Sequence, residues 1–543
     1  MNNNDIVQKL WNLCDVLRDD GINYSDYVSE LVLLLFIKMV HENNAAGILN
    51  RHPLPEGCRW QDLSNKDGLV LLNDYKAILL ALSTGKRTVA DPENPGQTME
   101  VIIHEDPLIQ AIYADAQTRL REPRHLKQLI EAIDKIDWFS ATKDGLGDLY
   151  EGLLEKNANE TKSGAGQYFT PRVLIDSMVR CIKPQAGEVI QDPAAGTAGF
   201  LIAADNYIKA QTDDLFDLNE QQQQFQKTKA YMGVELVPNT RRLSLMNCLL
   251  HNIEGDGEGA VHLGNALGQV GASLAKSDVI LANPPFGTSK GGEASITRDD
   301  LTYRTSNKQL AFLQHIYRNL KPGGRAAVVL PDNVLFEAGI GTDIRRDLME
   351  KCNLHTILRL PTGIFYAQGV KTNVLFFTKG AADDQTQKEG CTKNVWVYDL
   401  RTNMPSFGKR TPFGESHLQP FEAVYGEDAN GTSPRTEGEY SFGAEEIAVD
   451  KSAEENKGMD ASERAHGNKE AQQKLAHSRW RCFTREWIAD TKGDSLDISW
   501  LKDKDSVDAA DLPAPGVLAK EAKDGLTSAL VELDELISEL AEV

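Results

Sequence analysis

The sequence holds no Cys-x-x-Cys pair, and its seven cysteines (14, 58, 181, 248, 352, 391 and 482) lie far apart. That argues against a zinc site and against a disulfide framework; no metal is expected, and a reducing cytoplasm is. Long apolar runs are missing too. The longest, Leu31 to Ile37, has the length of a buried helix and falls well short of the roughly 18 residues a spanning helix needs, so no membrane is expected. The N-terminal MNNNDIVQKLW lacks a basic segment followed by an apolar one, so no secretory signal is expected. Positive charge is scarce: 58 Lys and Arg stand against 80 Asp and Glu, a net charge of −22. Such a surface is no glove for nucleic acid, so any basic patch must be local or a partner must supply the grip. No P-loop exists either, since Gly85-Lys86 is followed by Arg87 and position 80 is Leu80. No nuclease cluster and no internal repeat is evident.

What is present is a chain of 543 residues, 41% hydrophobic and 25% charged, which suits a soluble globular protein of roughly two to four domains. Residues 1–145 read as a helical N-terminal domain. Apolar residues recur at helical spacing over Asp5–Leu17 and Ser25–Val40, with Ser25 as N-cap, and further helices are expected at Tyr75–Leu82 and His125–Ile136. Prolines 53, 55, 92 and 95 punctuate loops. Over 146–400 short apolar runs alternate with helical stretches: Gly187–Gln191, Ala230–Val234, Val279–Ala282, Arg325–Leu330, His355–Arg359 and Val374–Phe377. That pattern predicts an α/β domain with crossover units and a mostly parallel sheet. Residues 401–510 read as a polar excursion that returns to the core, with 381–392 and 425–475 flexible. Residues 511–543 read as a C-terminal helix. Its Leu526, Leu530, Leu533, Ile537 and Leu540 form an a/d seam, suited to packing on its own body or on a partner.

Four motifs could carry chemistry. Val189 to Leu201 runs from a strand through Asp192-Pro193-Ala194-Ala195-Gly196-Thr197-Ala198-Gly199 into a helix. Small residues there let the backbone approach a ligand, and the helix start offers N–H groups. The turn is not the Gly-x-Gly-x-x-Gly fingerprint. Glu235 ends the next strand, where an acid can accept both hydroxyls of a ribose. Its offset from the Gly-rich turn is near 40 residues rather than the usual roughly 20; the excess coincides with the polar stretch Gln211–Lys229, read as a lengthened helix or loop.

The third motif is an apolar strand ending in Asn283-Pro284-Pro285-Phe286. Consecutive prolines fix the backbone direction and leave carbonyls free to accept. The Asn283 side-chain oxygen and the Pro284 carbonyl can both accept from an –NH2 group, drawing its lone pair out of conjugation and towards an electrophile. Phe286 offers a face on which an extruded base could stack. No titrating base is needed for attack on a sulfonium methyl; positioning and electrostatics do the work. The fourth is Gln167-Tyr168-Phe169-Thr170-Pro171-Arg172. Thr170 and Pro171 read as N-cap and N1 of a helix whose free N–H groups suit a carboxylate, such as the methionine end of a cofactor.

These elements, in this order, resemble the gamma class of amino-methyltransferases, and most nearly the modification subunits of type I restriction–modification systems. Gln167–Arg172 is similar to that family's segment beside the cofactor, Asp192–Phe200 to its cofactor loop, Glu235 to its ribose-binding acid and Asn283–Phe286 to its catalytic tetrapeptide. Asn265, in Leu263–Leu267, sits where the family has the loop beside the cofactor's adenine, commonly with Asp. Gln309–Leu313, Leu320–Arg325, Leu358–Phe365, Lys371–Lys379 and Leu496–Trp500 match later family segments. The resemblance implies a Rossmann-like fold, S-adenosylmethionine as cofactor, and methyl transfer to N6 of adenine in double-stranded DNA. It also implies partners: a specificity subunit that reads the site, a second modification subunit, and a restriction subunit in the full complex. Local basic candidates for phosphate contact are Lys162, Arg172, Lys290, Arg298, Arg304 and Lys308, flanking the expected pocket, though each taken alone reads as a solvated surface charge.

Rival readings are a protein-glutamine methyltransferase, a cytosine-N4 methyltransferase and a non-catalytic scaffold in a DNA-processing complex. The first usually carries Tyr in place of Phe286 on a much shorter chain. The second more often has Ser in place of Asn283. The intact tetrapeptide and cofactor loop oppose the third.

Overall fold

The computed structural model describes residues 3–503 apart from 24–25, 48–52, 92–93, 95, 139–140, 142–144, 161–169, 288–295, 297, 366–369, 381–389, 409, 438–447 and 450–476, and beyond 503 only Lys523. The expected C-terminal helix over 511–543, with its leucine seam, therefore lies outside the described residues, as does the expected cap Ser25.

The N-terminal domain is built around the helix Tyr27–Ala45. It is apolar on nearly every side, so it can only sit inside a bundle, and Leu31 to Ile37 are all 2% exposed or less. Helices Cys14–Asp19, Trp60–Ser64, Leu146–Glu160 and Pro238–Leu250 pack against it, and Tyr113 of Pro107–Tyr113 and Asp134 of Pro123–Asp134 reach its Phe36 and Lys38. One feature departs from the helical expectation. Gly85, left-handed at φ 73°, ends the helix Gly68–Thr84, and an antiparallel hairpin follows, β1 (Lys86–Ala90) with β2 (Thr98–Ile102). Both strands are half-exposed, so neither leaves the continuous apolar run by which a buried strand is recognised.

The second domain is a sheet of nine strands: β3 (Ile190–Asp192), β4 (Tyr231–Glu235), β5 (Val261–Leu263), β6 (Ser277–Ala282), β7 (Leu320–Pro331), β8 (Cys352–Arg359), β9 (Thr372–Lys379), β10 (Asn394–Asp399) and β12 (Trp480–Thr484). Their order is β12-β10-β8-β9-β7-β6-β3-β4-β5. All six strands expected from sequence are there. β9 runs antiparallel to both β7 and β8, and β12 antiparallel to β10; the other pairings are parallel. A separate short ladder joins β11 (Ala448–Val449) to β13 (Leu501–Lys502).

Side-chain alternation assigns the two faces. Val279, Leu281, Ala327, Val329, Val374 and Phe376 join one apolar cluster, shared with the helices Arg172–Ile182, Gly199–Gln211 and Pro238–Leu250 and continuous with the N-terminal domain. Ile280, Ala282, Ala326, Val328, Leu375 and Phe377 join the other, under the helices Lys308–Asn319 and Ile340–Lys351. Both faces are covered, as a largely parallel central sheet requires. Chain order turns outward from β3, with β4 and β5 on one side and β6 and β7 on the other. Ligands of such sheets bind at this switch point, beyond the carboxyl ends of the strands.

The long β3–β4 crossover is resolved as two helices, Gly199–Gln211 and Glu220–Thr228, the latter capped by Asn219. This accounts for the stretched offset to Glu235. The stretch 425–437, read as flexible, is packed. Tyr425 is buried, and the Arg435 guanidinium lies over the Tyr425 and Trp480 rings at 5.0 and 5.4 Å. Among the described residues no helix is long and apolar enough to cross a membrane.

Candidate active site

The turn after β3 carries the first part of the site. Gly196 and Ala198 both take left-handed backbone, φ 53° and 70°. A Cβ on Gly196 would meet nothing nearer than 4.0 Å, so the turn leaves open space above its backbone. It is tied to β4 by Ala195 N–H donating to Val234 O at 2.9 Å. Gly233 permits that closeness, since a Cβ there would stand 2.9 Å from Ala195 Cβ. Asp192 is buried and accepts from Ala194 N–H at 2.9 Å. Burial, with Glu235 nearby adding to it, pushes its carboxyl up to about 7.

Glu235 sits where the ribose-binding acid was expected. Its two oxygens accept from Gly196 N–H at 3.1 Å and Val237 N–H at 2.8 Å. Burial raises its pKa, and the backbone N–H bonds oppose the rise. Each oxygen keeps a lone pair for a further donor, so the carboxylate both clasps the Gly-rich turn and can take two hydroxyls. Asn265 follows β5. Its Oδ1 accepts from Leu267 N–H at 2.9 Å, and Gly264 N–H donates to Glu235 O at 2.9 Å. The Asn265 bond is an Asx turn that Asp would make equally well, so the exchange keeps the loop. Two residues missed from sequence lie here: Leu236 and Leu263 are 64% and 44% exposed beside Glu235. Apolar residues immediately after, or ending, ligand-bearing strands were the available signal.

β6 ends at Ala282 and delivers Asn283 to the same edge of the sheet. Asn283 Nδ2 donates to Thr170 Oγ1 at 2.9 Å, which leaves the acceptor role to the oxygen end of the amide. Thr170 is thus not a cap. The helix begins at Arg172 with Pro171 as its N-cap residue and no side-chain cap bond, and the Thr170 hydroxyl accepts from Asn283 instead. Pro284 is buried and Pro285 exposed. Phe286 packs edge-on against Phe365 with centroids 6.3 Å apart, and the Gln309 carboxamide lies on the Gly287 peptide. Gln167, Tyr168 and Phe169 lie outside the described residues, as do the basic candidates Lys162 and Lys290.

Two other basic candidates are corrected. Arg172 is ion-paired with Glu151 and, at 3.1 Å, with Asp176. Arg298 is only 8% exposed; it holds Asp300 at 2.6 Å, Ala266 O at 3.0 Å and His315 Nδ1 at 2.8 Å. His315 is pushed down to about 3 by burial and by that guanidinium. Both arginines act as internal ties.

Around Arg172 lies a cluster that sequence reading did not foresee. Groups of Asp148, Glu151 and His251 come within 4.8 Å of one another. They are already engaged: Glu151 by Arg172, and by Asn247 Nδ2 at 3.4 Å, and Asp148 by His251 Nε2 at 3.6 Å. Asn247 Nδ2 also donates to Thr197 O at 3.0 Å.

Similarity to known proteins runs along the whole chain. The family model N-6 DNA Methylase matches residues 141–471, the HsdM N-terminal domain residues 6–133, and the C-terminal domain of the type I restriction enzyme methylase subunit residues 512–543. The StySPI methylase subunit of Salmonella potsdam and the EcoKI methylase subunit of Escherichia coli are each 57% identical to the chain, over 99% of it and 96% of their own length. The crystal structure of the EcoKI M protein superposes with a TM-score of 0.58 at 53% identity, covering 99% of this chain and 96% of that one.

Proposed function

Because the chain belongs to the N-6 DNA methylase family, and within it to the methylase subunits of type I restriction enzymes, we propose that Asn283, Pro284 and Phe286 perform its chemistry at the edge where β6, β3, β4 and β5 end. The protein is an adenine-specific DNA methyltransferase, the modification subunit of a type I restriction–modification system. Identity of 57% along the whole chain favours adenine in DNA over the cytosine-N4, protein-glutamine and scaffold readings.

The observation that carries the site is one juxtaposition. Four strand ends bring Asn283, the Asp192–Gly199 turn, Glu235 and Asn265 to one edge, and Thr170 couples to Asn283 there. These residues fit S-adenosylmethionine. The Glu235 oxygens suit a ribose, the open space over Gly196 suits the amino-acid end, and Leu236, Leu263 and Asn265 suit a purine. That cofactor supplies an electrophilic methyl on a sulfonium.

In this reading the Asn283 oxygen and the Pro284 carbonyl accept from the N6 amino group of an adenine rotated out of the duplex. They draw its hydrogens into the plane of their lone pairs and aim the nitrogen lone pair at the methyl. Phe286, itself held edge-on by Phe365, stacks on the base. No side chain here need act as a base before the N–C bond forms; the surplus proton leaves the nitrogen afterwards. The reading includes a division of labour: a separate specificity subunit reads the DNA sequence, a second modification subunit is present, and a restriction subunit joins the full complex.

The test is incorporation of labelled methyl into unmodified DNA by the chain with its specificity subunit, followed by identification of the methylated base. Asn283→Ala should lower transfer by about 100-fold or more, the scale of losing one preorganised transition-state partner, while S-adenosylmethionine binding largely survives. Full activity in that variant, or label on cytosine, would refute the assignment.

A further inference from the structure

Beyond the carboxyl ends of β6 and β7 lies a surface that the cofactor site does not use. β7 continues past Val328, which pairs with Ala282, as far as Pro331. The short helix Asp332–Phe336 that follows therefore stands on the same edge as Asn283. A chain of contacts links the two. Gly287, just after the catalytic tetrapeptide, lies against Gln309. Asn307 caps the helix bearing Gln309, and its Nδ2 donates to Glu337 Oε2 at 2.7 Å. Glu337 is next to Phe336, which is 53% exposed, and Ile340 is 42% exposed.

Three cations lie on the segments that meet this ridge, Arg304 and Lys308 flanking Asn307 and Lys371 bonded to Asp332. Arg304 and Lys371 are exposed and Lys308 half-buried. Lys371 is placed beside the ridge by its carbonyl, which accepts from Asp332 N–H at 2.9 Å. None of the three has an acidic partner among the described residues, in contrast to Arg172 and Arg298. Two carboxylates of this region are already engaged, Glu337 by Asn307 Nδ2 and Asp332 by Arg401. In a chain of net charge −22, three unneutralised cations around an exposed aromatic beside the catalytic loop match one occupant, a polyanion with apolar flat groups inside it.

We infer that this surface receives duplex DNA: Arg304, Lys308 and Lys371 bind phosphates, and Phe336 with Ile340 forms a wedge against the bases flanking the extruded adenine. The inference rests on the methyltransferase reading and adds the surface that holds the substrate open. Extruding a base breaks its stacking with both neighbours, and an apolar side chain at the gap replaces part of that contact. Phosphate contacts fix register without reading sequence, consistent with a partner that does the reading.

Two measurements on the full-length chain separate the parts. The first is binding of a fluorescent duplex of random sequence at several salt concentrations. Arg304→Ala, Lys308→Ala and Lys371→Ala should each lower the slope of log affinity against log salt by about one unit. The second is labelled-methyl incorporation with the specificity subunit present. Phe336→Ala should lower kcat/KM about fivefold or more, and Phe336→Trp should restore it. S-adenosylmethionine binding should match wild type in every variant, which also reports that the fold is intact. A triple cation variant with the wild-type salt slope, Phe336→Ala with wild-type incorporation, or a loss of S-adenosylmethionine affinity in these variants would overturn the inference. A wild-type complex that transfers no label would refute the functional reading instead, and the salt slope would still judge the surface.

Discussion

A single hydroxyl has the clearest consequence at the scale of residues. Thr170 accepts from Asn283 Nδ2 and, in the proposed mechanism, so decides which end of that amide faces a substrate. Thr170→Val keeps the volume and removes the acceptor. One neutral hydrogen bond is worth about 1 kcal/mol, so single-turnover methyl transfer should fall roughly fivefold. S-adenosylmethionine affinity, read by calorimetry, should hardly change. Asp192 has a consequence of a different kind. Its carboxyl is raised to about 7 by burial, so the folded protein binds this proton more tightly than the unfolded chain does. The group's contribution to stability is full below its unfolded value near 3.8 and is lost as pH rises through about 7. Asp192→Asn should flatten that part of the profile of thermal midpoint against pH. A decline between about pH 4 and 7 as steep as wild type would show that another group is responsible.

At the scale of elements, the Gly-rich turn is held from below by a helix as well as from the side by β4. Asn247, fully buried on the helix Pro238–Leu250, donates to Thr197 O and to Glu151. Glu151 lies on Leu146–Glu160, the helix that connects the N-terminal bundle to the catalytic sheet. Asn247→Leu would strand the Thr197 carbonyl without its donor and leave Glu151 to Arg172. An unsatisfied buried group costs about 1–3 kcal/mol, so S-adenosylmethionine Kd should rise roughly tenfold or more by calorimetry, with a smaller change in the rate at saturation. An unchanged Kd would show that the turn holds its shape without this bond. Such ties were not legible in the sequence, because Asn247 and Thr197 meet only after two helices and a strand have been packed. The strands that bear the motifs were legible, since buried parallel strands are continuous apolar runs. β5 was missed because it has three residues, two of them exposed. β10 and β12 were missed because polar stretches surround them. The reversed direction of β9 was not visible either, since an apolar run does not tell in which direction its strand pairs.

At the scale of the molecule, net charge sets the problem that the architecture has to solve. A chain of −22 repels a phosphate backbone over most of its surface, and two of the six cations that sequence singled out are consumed by internal ion pairs. The inferred surface beside the proposed site is a small patch that aligns a duplex locally, and among the described residues no element is assigned to reading base edges. Specificity worth several kcal/mol needs several base contacts, each worth about 1–3 kcal/mol, and these are assigned to the specificity subunit. The isolated chain should therefore bind S-adenosylmethionine normally yet place labelled methyl on DNA slowly and without a consensus sequence. Adding the specificity subunit should raise the rate by orders of magnitude and confine label to one site, as mapped by sequencing the methylated adenines. Strong methylation at one site by the chain alone would mean that a target-reading element resides in this chain, and the division of labour would have to be abandoned.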